Sequence, residues 1–391
     1  MTLPEIADSL EWFDRCSPEE RRAFWVGVVG TFSVIVLCFG FLRRWLGGSR
    51  LRELQAKLDN TAAKNAELEQ KNAKSQLLDQ KLDGLAGSAW FKQTQPSHAP
   101  AFVPLVQRGT RIVSVFNLKG GVGKTTIAAN LAAVFCRRQD SRKVMMIDAD
   151  WQGSLTSLCT ETVAQLKDVV RGGKLLHRLL ERGHSSTSPD ELLHLAGETL
   201  FPHGRLLGAD GTLSQVEDAL LVRWITERLD FDPRFVLRQW LHGEAVRQEF
   251  NIVIIDCPPR LTVASVAALA ASDQVVIPVI PDDLSISAVK VLLNRLREDI
   301  IPTVAPHLEV AGIVPNLAGR NGDLSEDRQI ALQALKGDAH QALGKPVPVL
   351  IEEAIKNFTV KEMGKLYPQL SDNQNTLFER LAAIIHPPLR S

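Results

Sequence analysis

The stretch NLKGGVGKTT, residues 117–126, decides the fold. Before it runs IVSVFN (112–117), short, β-branched and aromatic. After it TTIAANLAAVFCRR (125–138) reads as a helix. Strand, glycine-rich loop ending in Gly-Lys-Thr, then helix is the setting of a phosphate-binding loop. There, backbone N–H groups close on phosphate oxygens at the positive end of a helix. The strict G-x-x-x-x-G-K spacing would need its first glycine where this chain has Leu118, so the loop is a deviant form. The phosphate cradle is assigned to Gly120, Gly121, Val122, Gly123, Lys124, Thr125 and Thr126. Lys124 is expected on the β- and γ-phosphates and Thr125 on Mg²⁺. One lysine suffices for phosphate; Lys119 needs its own explanation.

The chain has 391 residues, with 45 Lys+Arg against 45 Asp+Glu, so no bulk charge argues for nucleic acid. Five scattered cysteines (Cys16, Cys38, Cys136, Cys159, Cys257) form no C-x-x-C pair, which indicates neither a disulfide framework nor a zinc site.

Outward from the loop, the first hundred residues read as a tether. Residues 23–42, AFWVGVVGTFSVIVLCFGFL, carry no charge over a length that spans a bilayer as a helix. A signal peptide fits poorly, because the run is long, starts late and lacks a small-residue cleavage site. Three basic residues in 3–22 against five in 43–62 favour the C-terminal side inside. Residues 1–22 are then expected outside the cytoplasm, with a single pass through the inner (cytoplasmic) membrane. Residues 49–85 place Leu51, Leu54, Leu58, Asn65, Leu68 and Asn72 at a/d spacing, with a later shift to Leu78, Leu82 and Leu85. That predicts a coiled coil with a stutter, the alternative being a solvated single helix. Such a segment would hold the next domain about 50 Å from the membrane. Residues 86–107 break the pattern with prolines and read as a linker.

Beyond the loop, further pieces follow in order: VMMIDADWQG (144–153), FNIVIIDCPP (250–259), QVVIPVIPDDLSISAV (274–289) and VAGIVPNLAGR (310–320). With KGGVGKTT, residues 119–126, they resemble the deviant Walker ATPases of the ParA/MinD group. The resemblance implies an α/β fold over 108–391: a mostly parallel twisted sheet with helices on both faces. It implies ATP and Mg²⁺ as ligands. It implies that Lys119 reaches across an ATP-dependent homodimer to the partner's phosphates, that Asp150 orients the attacking water, that Asp148 and Asp256 act around Mg²⁺, and that Asn316 meets the adenine. The physics is that of an arginine finger, a cation offsetting charge that shifts in phosphoryl transfer.

Departures from the pattern are informative. Trp151 stands where the group has proline, and is read as an ordinary surface or core tryptophan. Residues 154–249 are long for the group and predict a helical insertion, part of a partner surface. Its histidines, His177, His184 and His194, are irregularly spaced and read as solvated. The Pro-Arg pair that many members place beside the base is missing from PVLIEEAIKN (348–357).

By this resemblance the chain is a membrane-anchored, dimerising ATPase switch that recruits, positions or partitions a DNA or protein cargo. Scattered basics (Arg295, Arg297, Arg320, Lys356, Lys361, Lys365) leave nonspecific DNA open as a partner. Two alternatives are a tyrosine-kinase-like autokinase, although Tyr367 is the single tyrosine, and a structural tether that binds ATP without turnover. An iron–sulfur carrier would need a matched cysteine pair at the dimer face, and none is present.

Overall fold

The structure is a computed structural model describing residues 17–42, 50–83, 90–91, 99–137, 143–160, 163–183, 196–226, 228–316, 326–344, 346–348 and 372–385. Contacts divide the chain into two compact units, Met1–Gln80 and Lys81–Ser391.

In the first unit, helix α1 spans Pro18–Leu42. Its start is written locally. The Ser17 N–H donates to the Glu20 carboxylate (2.8 Å) and the Glu20 N–H to the Ser17 hydroxyl (3.4 Å), a capping box with proline at the first helical position. Thr31 and Ser33 donate their hydroxyls to the carbonyls of Gly27 (2.9 Å) and Val29 (3.1 Å), so neither presents an open polar group. Phe24, Val26, Val29, Val34 and Ile35 are exposed. Helix α2 spans Arg50–Asp83, with a Glu53–Lys57 pair at 3.0 Å. Among the described residues no helix is long and apolar enough to cross a membrane. The uncharged stretch 23–42 includes Leu37 and residues 40–42, whose side chains lie outside the described set. Both stretches are helices.

The second unit is built on a seven-stranded sheet: β1 Arg111–Val115, β2 Lys143–Asp148, β3 Gly197–Glu198, β4 Gly204–Leu207, β5 Phe250–Asp256, β6 Gln274–Val279 and β7 Glu309–Pro315. Their order is β3-β4-β2-β5-β1-β6-β7, parallel throughout except for the β3–β4 pair. The strands are near-continuous apolar runs because both faces are covered. Ile112, Met145, Ile147, Val253 and Ile255 point to one buried layer, and Val113, Val115, Val144, Met146, Ile252 and Ile254 to the other.

The helices of this unit are α3 Leu105–Arg108, α4 Lys124–Arg137, α5 Ser154–Leu158, α6 Val163–Arg171, α7 Leu176–Arg182, α8 Thr212–Ile225, α9 Val236–Leu241, α10 Glu244–Glu249, α11 Val263–Ala271, α12 Asp283–Arg295, α13 Glu326–Leu343 and α14 Asp372–Ile385. Helices α4 and α14 cover one face through Leu131, Phe135, Phe378 and Leu381; α7, α8, α9, α11 and α12 cover the other.

Two features depart from the sequence reading. The stretch 154–249 is not only helical: it supplies β3 and β4, strands too short to stand out in GRLL, and buries Leu176, Leu213, Leu220 and Trp224. His177, read as solvated, is buried, with Nδ1 3.6 Å from Asp210. His184 and His194 lie outside the described residues.

Within the stretch read as linker, Trp90 and Phe91 are buried. Arg234 donates to the Trp90 carbonyl (2.9 Å), and the Trp90 and Trp224 rings lie 5.8 Å apart. Further on, Arg108 donates to the carbonyls of Val103 and Thr110 (both 2.7 Å) and pairs with Asp273 in the interior. His242 accepts from the Val103 N–H at Nδ1 (3.1 Å), which assigns the proton to Nε2 and a bond to the Ala271 carbonyl (2.9 Å). Burial and the Arg108 guanidinium push His242 down to about 3, so it is neutral here. These contacts sit at the entry of β1. The chain therefore joins the domain at the strands' N-terminal ends, away from the phosphate loop at their carboxyl ends.

If Trp90 is part of the core, Trp90→Ala should lower the unfolding free energy by about 3 kcal/mol in urea; an unchanged midpoint would place it outside the cooperative unit.

Candidate functional site

The register brings the site together before any side chain is considered. Asp148 ends β2 opposite Asp256, which ends β5 opposite Val115 at the end of β1. Past the strand ends, Ala149 donates its N–H to the Asp256 carbonyl (2.8 Å) and Asn316 to the Val279 carbonyl (2.7 Å). The loop 117–123, Asp148, Asp150, Asp256 and Asn316 all gather at this edge, where ligands of open α/β sheets bind.

The loop is shaped by its glycines. Gly121 (φ 73°) and Gly123 (φ 87°) adopt left-handed conformations. A Cβ on Gly123 would stand 1.8 Å from the Asn316 amide nitrogen. That amide donates to the Val122 carbonyl (2.8 Å), so Asn316, expected at the adenine, braces the phosphate loop. Asn117 anchors the loop's start: its amide donates to the Pro278 carbonyl (2.5 Å), and its oxygen accepts from the Lys119 N–H (3.0 Å). Gly120, Thr125 and Thr126 are accessible in part or whole, as phosphate and metal contacts require.

Lys124 opens α4 and is buried, its Nζ donating to the Lys119 carbonyl (3.0 Å). Burial lowers its pKa; Asp256 and Asp150 oppose that. The Lys119 ammonium points elsewhere, to Asp282 (3.2 Å) and the Ser285 hydroxyl (2.6 Å) of its own chain.

The carboxylates differ in their surroundings. Asp148 is fully engaged, accepting from the Thr156 N–H and hydroxyl (both 2.8 Å) and the Asp150 N–H (3.2 Å). Burial nevertheless pushes it up to about 7. Asp256 is buried, and neither oxygen has a hydrogen-bond partner. Burial first, then the charge of Asp148, raises its pKa well above the ordinary range; the nearby Thr125 hydroxyl and Lys124 favour ionisation without closing a bond. An orphaned carboxylate beside a threonine hydroxyl is a donor set that fits a hard divalent cation. Asp150 is half-buried, accepting from the Gln152 N–H (3.1 Å), and Trp151 beside it is exposed.

Residues 110–310 match the family model described as an AAA domain. The chromosome partitioning protein ParA of Caulobacter vibrioides is 30% identical over 250 residues, covering 62% of this chain and 83% of that protein. The chain belongs to the ParA/MinD-like ATPases. Its fold is shared with an ATP complex of Cyanothece McdA (TM-score 0.54, 20% identity, 71% of this chain and 96% of that one). It is shared too with cobyrinic acid a,c-diamide synthase from Mycobacterium smegmatis bound to an ATP analog and magnesium (TM-score 0.50, 23% identity, 70% and 92%).

Within this ParA/MinD-like domain, several site-shaping residues escaped the sequence reading. Thr156 fastens the switch after β2 to Asp148 and, through its hydroxyl, accepts from the Ala209 N–H (2.9 Å). Glu217 on α8 accepts from the Ala264 N–H (3.1 Å), tying the 154–249 stretch to the helix that follows Asp256. Neither lies in a motif. Asp282 and Ser285 do carry a signal, the D-x-x-S of a helix N-cap.

Because the unpaired Asp256 carboxylate disfavours the folded state once ionised, Asp256→Asn should stabilise the nucleotide-free protein at neutral pH by roughly 1–3 kcal/mol. Its folded pKa is raised, so wild type loses stability relative to the variant as pH climbs above the unfolded value near 3.8. Denaturant midpoints of the two proteins between pH 4 and 8 read this directly; a constant gap would contradict it.

Proposed function

We propose that this chain is a membrane-anchored ATPase switch, closed as a dimer by ATP and opened by hydrolysis, that positions or partitions a cargo. The observation that carries the reading is the division of labour between two lysines. Lys124 is buried on the loop's own carbonyl, within the field of Asp256 and Asp150. Lys119 is directed away from that loop, onto α12. A second lysine not placed at its own site suits a role at a partner's.

Gly120 to Thr126 would cradle the phosphates; Thr125 and Asp256 would hold Mg²⁺, with Asp148 behind them. Bound magnesium supplies charge neutralisation for the β- and γ-phosphate oxygens. Asp150 orients the attacking water, its carboxylate held by Gln152. Lys119 from the partner stabilises charge at the transferring phosphoryl group. The partition role is supported by the Caulobacter ParA likeness.

Charge pairing favours a protein cargo over DNA. Arg295 pairs with Asp299 (2.6 Å), Arg297 with Glu298 (2.5 Å) and Lys290 with Asp338 (2.9 Å). A face whose cations already meet carboxylates offers little to a phosphate backbone. Arg320, Lys356, Lys361 and Lys365 lie outside the described residues. The anchor is supported by the uncharged residues 23–42 and the exposed apolar side chains of α1.

Lys124→Ala should abolish ATP binding, whereas Lys119→Ala should keep ATP binding, lose turnover and weaken ATP-dependent dimerisation. A wild-type rate in Lys119→Ala would sink the dimer reading. The full-length protein should stay in the membrane pellet after alkaline carbonate, and release into the supernatant would refute the anchor.

A further inference from the structure

We infer that residues 99–110 are a regulatory strap, coupled through α11 to the segment 257–262 that follows Asp256. This rests on the nucleotide site proposed above and not on the dimer.

Helix α11 has little along its sides to fix it. Its sequence, VASVAALAA, is apolar almost all round, and every residue from Val263 to Ala271 is fully buried. Alanine-rich flanks offer few long side chains to lock into a neighbour's grooves, so such a helix resists sliding along its axis only weakly.

Its ends are where it is held. At the N-terminus Thr262 and Ser265 form a capping box, and the Glu217 carboxyl of α8 accepts from the Ala264 N–H (3.1 Å). At the C-terminus Arg238 of α9 donates to the Ala270 carbonyl (2.7 Å), and His242 donates to the Ala271 carbonyl (2.9 Å). A carboxyl at one end and a guanidinium at the other match the helix dipole. Burial pushes Arg238 down to about 10, so it is still a cation at neutral pH.

The groups that grip the C-terminus are in turn held by the strap. The Phe102 ring stacks on His307 (centroids 4.4 Å apart) and meets His242 edge-on (4.8 Å). The guanidinium carbons of Arg238 and Arg108 each lie 5.6 Å from its centroid. The Val103 N–H donates to His242 Nδ1 (3.1 Å), on the same ring whose Nε2 caps α11. One aromatic side chain and one backbone amide of the strap therefore set both groups that cap the helix. Phe102 and Val103 are only half-buried, so the strap is fastened by these contacts rather than enclosed in the core.

Release of the strap frees His242 and Arg238, loosens the C-terminal grip and lets α11 shift along its axis. Residues 257–262 connect the other end of α11 to Asp256, so the shift is felt at the carboxylate assigned to Mg²⁺. Coupling of this kind is reciprocal: nucleotide that settles 257–262 also settles the strap.

Hydrogen exchange reads this in the full-length wild type, where no variant has to fold. A slowly hydrolysed ATP analogue with Mg²⁺, at saturation, should slow amide exchange at 99–110 by about fivefold. These residues lie at the opposite ends of the strands from the phosphate loop, so direct contact with nucleotide does not account for the change. Phe102→Ala removes the ring while leaving the donors of both C-terminal caps in place. It should free the amides of 99–110 and weaken binding of the same analogue by a like factor, about fivefold, with exchange in β2 unchanged. Exchange at 99–110 that ignores the bound analogue in wild type would overturn the inference. So would wild-type affinity in Phe102→Ala once its amides at 99–110 exchange as free chain. If wild type binds no nucleotide at all, the site reading itself has failed, and the inference with it.

Discussion

Parallel pairing sets Asp148 and Asp256 side by side at the carboxyl ends of β2 and β5, and everything else at the site answers to that constraint. Two carboxylates in the interior repel each other and lack water. The protein resolves one of them internally. Asp148 takes three donors from the switch that follows it and so fixes where Asp150 stands. Asp256 is left without a partner. Positive charge is the missing element, and the buried Lys124 supplies only part of it. The strand register thereby leaves a buried carboxylate without a hydrogen-bond partner at the carboxyl end of β5.

The second organising feature is the separation of entry and chemistry. Residues 99–110 dock at the N-terminal ends of the strands through Arg108, Asp273 and His242, whereas the phosphate loop sits at the opposite ends. Glu217, from the 154–249 stretch, accepts from the Ala264 N–H and so ties that stretch to α11, the helix that follows Asp256.

Much of this was legible in the sequence because the chemistry sits in contiguous motifs. The glycine spacing of 120–123, the strands ending at Asp148 and Asp256 and the tail of VAGIVPN each announce their position by local pattern. What was not legible depended on pairs distant in the chain. The bond from Asn316 to Val122 crosses 194 residues, and that from Lys119 to Ser285 crosses 166. Burial of Trp90 depends on Arg234 and Trp224, invisible from a proline-rich flank. His177 was misread because its spacing carries no period, while its burial is set by the β4 end bearing Asp210. Strands β3 and β4 are too short for alternation to show.

The central claim, that Lys119 acts on the partner's nucleotide, is tested most directly by mixing two inactive full-length variants, Lys119→Ala and Asp150→Ala. Both keep Lys124 and should bind ATP. If Lys119 works across the dimer, a mixed dimer has one complete site, and random pairing should restore turnover to about a quarter of wild type. If the lysine serves its own site, no mixed dimer contains a complete one. A mixture as inactive as its components, with mixed dimers shown to form, would contradict the account.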